Sequence, residues 1–238
     1  MLRLFTLARG TQTVNINCNF LNSDTILYYK DRAREYEKIY LKPERQNDLK
    51  RATEILQVIF NNKEIFEIAC GTGYWTERIA KTAKTILATD INDTVIEVAK
   101  SKNYLPAAVR FENVDIFNLP AGLEYESVFG GFIWSHIKVE DLNSFIDGLH
   151  KLIVKGGIAC FIDNNYVEGS NLPITDIDNM GNTFQTRQLE NGSKHKVLKN
   201  FPTVKFMRQL LTNKASDINI INLKYYWILT YKTCSGNI

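Results

Sequence analysis

The stretch Glu67-Ile68-Ala69-Cys70-Gly71-Thr72-Gly73-Tyr74-Trp75 constrains this chain more than any other. Ile65, Phe66, Ile68 and Ala69 form a short apolar run, which reads as a buried strand. Trp75, Ile79 and Ala80 follow at helical spacing. Between the two runs lie Gly71 and Gly73. Glycines at such a turn let the backbone pass close to a ligand, because no Cβ blocks the approach. The helix start beyond offers unpaired N–H groups. Strand, glycine turn and helix together point to a nucleotide-like cofactor.

A dinucleotide fingerprint reads G-x-G-x-x-G after a strand, but Thr76 stands where its third glycine belongs. An acid, Glu67, precedes the first glycine. The pattern resembles motif I of the class I S-adenosylmethionine-dependent methyltransferases, an acid followed by a G-x-G turn. Two further strand ends fit that resemblance. The run Thr85 to Thr89 closes on Asp90, followed by Ile91, and Val109, Phe111 and Val114 lead to Asp115-Ile116-Phe117. The resemblance implies S-adenosylmethionine (SAM) as cofactor and S-adenosylhomocysteine (SAH) as product. Gly71, Thr72, Gly73 and Ile91 are then cofactor contacts, and Glu67 orders the loop or meets the cofactor amino group. Asp90 binds the ribose hydroxyls, Asp115 the adenine amino group, and Ile116 packs on the ring. The plainer alternatives are a helix cap for Asp90 and a turn residue for Asp115.

The fold expected is α/β, a three-layer sandwich around a mostly parallel seven-stranded sheet with an antiparallel last strand. Strands are expected near 64–70, 85–90, 108–114, 127–134 and 158–163, with helices near 44–60, 74–83, 93–102 and 139–153 between them. After strand five the pattern changes. Thr183–Leu189 and Lys194–Leu198 flank Asn191-Gly192 and read as a hairpin. A helix near 203–212 and strands near 218–223 and 225–232 close the chain. The whole reads as one domain: a tail or edge segment (1–23), N-terminal lid helices (24–60), a cofactor core (61–163), a hairpin insertion (164–202) and a C-terminal helix with strands (203–238). The insertion is too short to bury a core of its own.

Composition narrows the class further. The 238 residues are 45% hydrophobic and carry a formal charge of only +3, which is weak grounds for a nucleic-acid partner. No run approaches the roughly 18 apolar residues of a membrane span. Cys18, Cys70, Cys160 and Cys234 form no C-x-x-C pair, which fits reduced thiols and a cytoplasmic setting. No metal-ligand spacing is evident. The first 23 residues contain Arg3 and Arg9 but no acid. They read as a tail or added edge segment, with an organelle transit peptide as the alternative.

Residues Tyr28 to Tyr36 are rich in Tyr and Arg and resemble the N-terminal lid of small-molecule methyltransferases. Tyr29 and Arg32 are expected at the cofactor, the arginine as a two-pronged carboxylate ligand, and Tyr36 at the acceptor. Alternatively this is an ordinary amphipathic helix. His136, after strand four in Trp134-Ser135-His136-Ile137, is the candidate general base because imidazole titrates near neutrality. Trp134 is expected at the cofactor, and Ser135, Asp163, Asn165 and Tyr166 at the acceptor. His195 is a weaker acceptor contact, and His150 suits a helix terminus. Arg187 and the hairpin lysines read as a solvated face, with attraction of an anion as the alternative. The loop Trp134-Ser135-His136-Ile137 is not the (Asn/Asp)-Pro-Pro-(Tyr/Phe) loop common in enzymes that methylate base amino groups, so the acceptor expected is a small molecule. The competing functions are a non-catalytic SAM-fold binding or partner protein and, less favoured, an NAD-dependent oxidoreductase. Acceptor identity and oligomeric state are left open, a homodimer being one option.

Overall fold

A computed structural model describes residues 23–117 and 124–234. The expectations for the first 22 residues therefore lie outside the described part. Seven strands form the central sheet: β1 (Glu64–Ile68), β2 (Thr85–Asp90), β3 (Ala108–Asn113), β4 (Tyr125–Gly131), β5 (Ile153–Asn164), β9 (Ala215–Asn222) and β10 (Tyr226–Thr233). Their order is β3-β2-β1-β4-β5-β10-β9. The five from β3 to β5 run parallel. The last strand of the chain, β10, lies between β5 and β9 and is antiparallel to both. The expected seven-stranded, mostly parallel sheet is thus present.

Alternation within the strands builds the layers. In β1, Ile65 faces one side and Phe66 the other, and both are buried. Ile65, Ile86, Phe129 and Ile228 meet Leu49, Ala52 and Leu56 of α2 (Gln46–Ile59) and Ile79 of α3 (Tyr74–Ile79). On the opposite face, Phe66, Val128, Phe161 and Leu229 meet Phe145, Ile146 and Leu149 of α5 (Leu142–His150) and Met207 of α6 (Val204–Leu210). Fully burying each such side chain contributes about 1.5–3 kcal/mol. Asn92 caps α4 (Asp93–Lys100) by accepting from Thr94 N, and Val95, Ile96 and Ala99 form its buried side.

The chain order reverses at β1, which has β2 on one side and β4 on the other. Such a switch point leaves a crevice at the carboxyl ends of the strands. Two elements stand over it. One is α1 (Ser23–Arg32), continued by 3-10 turns at Tyr36–Leu41 and Pro43–Arg45. The other stands over it only through α1 and Trp134–His136, on which it packs: a small antiparallel sheet of β6 (Asp176–Ile177), β7 (Thr183–Gln188) and β8 (Lys194–Leu198). The expected hairpin is there, with β6 as a third strand that no alternation in Asp176-Ile177 announced. β4 ends at Gly131, three residues short of the expected Trp134, because Phe132 takes a left-handed φ of 59° and Trp134–His136 turn into a 3-10 coil. β5 starts earlier than expected and runs through Gly156-Gly157.

Candidate active site

A cavity of about 100 Å³ opens at the carboxyl ends of β1, β2 and β4. Ala69, Gly71 and Thr72 form its floor, and Asp90, Ile91, Asn92 and Val95 form one side. Gly131, Phe132, Ile133 and His136 form the other, and Thr25, Tyr29 and Tyr36 cover it. A smaller cavity of about 20 Å³ shares Tyr36, Gly71, Thr72 and Gly131 and adds Glu67, Cys70, Tyr74 and Trp75.

The floor is held in costly backbone. Ala69, Gly71 and Gly73 all have positive φ, at 50°, 56° and 77°. For a non-glycine residue that conformation costs roughly 1–2 kcal/mol. Ala69 and Phe132 (φ 59°) both carry this strain and both line the cavity, at the ends of β1 and β4. The two glycines have different tasks. A Cβ on Gly71 would meet nothing within 4 Å, so its missing side chain faces open space. A Cβ on Gly73 would sit 2.3 Å from the Tyr104 hydroxyl and 3.1 Å from Ala99 Cβ. Gly73 therefore makes room for Tyr104 and α4, and it does not line the cavity.

Asp90 closes the loop from the side. Its Oδ2 accepts from Gly71 N at 2.9 Å and its Oδ1 from Asn92 N at 2.9 Å. Each oxygen retains a further lone pair. Burial pushes its carboxyl up to about 6, against the pull of those backbone N–H groups. Beneath the loop, Glu67 is pushed up to about 8, again chiefly by burial. Thr72 Oγ1 donates to Glu37 at 2.7 Å, and Lys102 reaches the same carboxylate, which ties the 3-10 segment to the loop.

His136 stands across the cavity. Its Nδ1 lies 2.6 Å from the Leu198 carbonyl and its Nε2 lies 2.7 Å from the Tyr29 hydroxyl. The carbonyl can only accept, so Nδ1 carries the proton and Nε2 accepts from Tyr29. Burial, then Lys199 and Arg187, hold the imidazole well below its ordinary value of 6.5. Arg187 Nη1 donates to the same Tyr29 hydroxyl at 3.3 Å. Behind His136, the Lys199 ammonium donates to Ser135 Oγ at 2.6 Å and to Asp163 Oδ1 at 2.9 Å. Asp163 Oδ2 accepts from Ser135 N at 2.9 Å. Burial alone would raise the Asp163 carboxyl, but Lys199 and its other partners hold it below the usual range.

Several expected residues fall outside the cavity wall. Arg32 donates to the Tyr28 hydroxyl at 2.6 Å and stacks on Tyr36. Asp115 Oδ1 accepts from Phe117 N at 2.9 Å, and Ile116 is buried in the α5-side core. Trp134 packs edge-on against Phe161 and Trp227 in the same core. Ser135 and Asp163 are taken up by Lys199. The Asn165 amide holds Asn222, Leu223 and Tyr226 near the β9–β10 turn. Tyr166 is half-exposed against Phe201. His195 lies 3.0 Å from Ser193 Oγ and tilts against Tyr28. Sequence reasoning missed Thr25, Ala69, Asn92, Val95, Gly131, Phe132 and Ile133 on the wall. Only Phe132 had a usable signal, the Gly130-Gly131 pair before it.

The residues present fit an adenosyl sulfonium amino acid. Gly71 borders open space, and the Asp90 carboxylate lies on the same wall with lone pairs to accept hydroxyl protons. Thr25 Oγ1 and Trp75 Nε1 are buried without a hydrogen-bond partner among the described residues. One lines the larger cavity and the other the smaller. Buried polar atoms of this kind cost free energy unless a ligand or water satisfies them.

Residues 65–157 match the family model described as a methyltransferase domain. The fold is shared with the DhpI–SAH complex, at 21% identity over 90% of this chain and 97% of that one, with a TM-score of 0.74. It is shared also with the N-methyltransferase NodS from Bradyrhizobium japonicum WM9 in complex with SAH (12% identity, 89% and 100% coverage, TM-score 0.60). Magnesium protoporphyrin IX methyltransferase from Synechocystis PCC 6803 with bound SAM gives 13% identity, 91% and 99% coverage and a TM-score of 0.60. No curated protein matches by sequence. The fold is that of the class I SAM-dependent methyltransferases. Residues 65–157 are thus similar to a methyltransferase domain, carried on a fold shared with SAM- and SAH-bound methyltransferases.

Proposed function

We propose that this protein binds SAM across Gly71, Thr72 and Asp90 and methylates a small-molecule acceptor held between Tyr29, Tyr36, Phe132 and His136. The observation that carries the reading is the shared cavity. One space joins a carboxylate and an open glycine loop on one side to an aromatic and imidazole wall on the other. When bound, SAM supplies a methyl group on a sulfonium, an electrophile that needs only an aligned nucleophile. The chain's own residues bind, orient and exclude water. Asp90 takes the ribose hydroxyls. Ile91 and Val95 give apolar surface to the base, and the Thr72–Glu37–Lys102 contact keeps the cover closed. Phe132 and Tyr36 wall off solvent. Positioning of this kind lowers a barrier by roughly 7–11 kcal/mol in favourable cases. Thr25 and Tyr29 of α1, together with Tyr36, close over the cavity, which suits a small acceptor rather than a polymer.

Titration calorimetry with SAM and SAH tests the reading. Saturable binding of both is expected, and binding of neither would remove it. NAD binding without SAM binding would restore the oxidoreductase alternative.

A further inference from the structure

The small sheet packed on α1 brings in a positive charge that no acid among the described residues answers. Gln185 and Arg187 alternate with exposed Thr186 and Gln188 in β7, so both turn toward α1. The Arg187 guanidinium donates Nη1 to the Tyr29 hydroxyl and Nη2 to Gln185 Oε1 at 2.9 Å, and it lies over the Tyr28 ring. Its Nε is buried and has no hydrogen-bond partner among the described residues. Among those residues Arg187 also makes no ion pair, whereas Lys199 is paired with Asp163. Arg187 is therefore not part of a solvated hairpin face. A half-buried cation lacking a counter-charge is a standing electrostatic cost. The Tyr29 hydroxyl connects it to the cavity wall.

His136 points the same way. From α1 it faces Tyr29, from β7 Arg187, from β5 Asp163, and from the segment after β8 Lys199. Accepting a proton would place an imidazolium beside two cations with only Asp163 to offset them. An acceptor that must lose a proton is poorly served here. One whose nucleophilic oxygen is already negative needs no base and supplies the missing counter-charge.

We propose that the acceptor is an oxyanion, a carboxylate or a phosphoryl-type acid, drawn to the Tyr29 side of the cavity by the Arg187 charge and methylated on oxygen to give an ester. This rests on the SAM reading above. In the step, an oxygen lone pair forms the O–CH3 bond as the CH3–S bond breaks. The bonding pair stays on sulfur, which becomes a neutral thioether, and the anionic charge on oxygen is lost in the ester. No proton moves. His136 and Tyr29 are positioning residues, and Arg187 is the counter-charge.

The test uses the full chain saturated with SAH and follows the arginine Nε–H resonances by 1H–15N NMR. The probes are acetate, its neutral isostere acetamide, and inorganic phosphate. Acetate or phosphate should move the Arg187 resonance saturably while acetamide does not. The tighter of the two anions names the acceptor class. Arg187→Gln should weaken anion binding by about tenfold or more, the scale of a charge-assisted hydrogen bond, with SAH affinity within about twofold of wild type. Arg187→Lys should keep part of the response. SAH binding in the wild type with no anion response, an equal response to acetamide, or unchanged anion affinity in Arg187→Gln overturns this proposal alone. Failure of SAH itself to bind removes the SAM reading and this one with it.

Discussion

Asp90→Asn gives the sharpest test of the cofactor site. Both carboxylate oxygens are in use, one on Gly71 N and one on Asn92 N, each at 2.9 Å. Asparagine has one acceptor oxygen, so one of those N–H groups is left facing an amide N–H. That costs about 1–3 kcal/mol. Against it stands relief of a buried charge. The carboxyl is raised from 3.8 to about 6, which at about 1.36 kcal/mol per unit is at most about 3 kcal/mol. The carboxylate keeps some surface toward the cavity, so the relief is smaller. The two effects nearly cancel, and the variant should fold with a near-normal melting temperature. Cofactor binding should not be spared. Ribose hydroxyls donating to a carboxylate are charge-assisted, worth about 1.5–3 kcal/mol, so SAH should bind roughly 10- to 150-fold more weakly at pH 7.5. The sign with pH follows from the raised value. The free protein binds a proton at Asp90 below about pH 6, and the complex does not. SAH affinity should therefore fall toward tenfold per unit as pH drops below about 6, and this limb should be missing in Asp90→Asn. Glu67, raised to about 8 chiefly by burial and further by the Asp90 charge, adds a dependence at higher pH that should move down in the variant, where its burial and its Thr76 contact remain. Calorimetry between pH 5 and pH 8 measures both. A flat wild-type profile, or a variant within twofold of wild type, refutes the reasoning.

Other perturbations separate structure from binding. Gly73→Ala forces a Cβ to 2.3 Å from the Tyr104 hydroxyl at φ 77°, so the fold should lose about 2–3 kcal/mol. Gly71→Ala meets nothing within 4 Å and should cost only about 1–2 kcal/mol of fold, yet lose most SAH affinity. Denaturant melts and calorimetry on both variants would expose a reversed order. Lys199→Met leaves the fully buried Asp163 carboxylate unpaired and should cost about 3–5 kcal/mol, read from the denaturant midpoint. A change under 1 kcal/mol would mean that the pair is not formed. His136 is neutral in the fold and depressed relative to the unfolded 6.5, so stability should decline as pH falls below 6.5. His136→Gln should flatten that decline, and an identical pH slope in the two proteins would contradict the placement.

The glycine-loop wall of the cavity was legible because it is local. A glycine turn after a buried strand and an aspartate closing the next strand are short-range patterns, and Gly71, Thr72, Asp90 and Ile91 do line the cavity. The parallel sheet was legible because strands buried on both faces are apolar almost throughout. The acceptor side was legible only in part: Tyr36 and His136 were expected there and both line the cavity, but their partners were not foreseen. Tyr29, His136 and Arg187 are separated by 107 and 158 positions in their two contacts, and nothing local encodes that they meet. Ser135, Asp163, Asn165 and Tyr166 follow strand ends, as acceptor residues do, yet the insertion's Lys199, the β9–β10 turn and Phe201 claim them. Gly73 was assigned to the ligand because a glycine's freedom is visible in sequence, whereas the neighbour occupying the freed space, Tyr104, is not.

The sequence by itself determined a Rossmann-like sheet and the edge at which a nucleoside would lie, since periodicity and glycine turns act over a few residues. Tertiary structure alone decided what faces that edge. A helix that covers it and a three-stranded sheet packed on that helix, distant along the chain, leave one arginine with no acid among the described residues. Charge balance in a buried wall depends on which segments pack together, and that is a property of the folded chain.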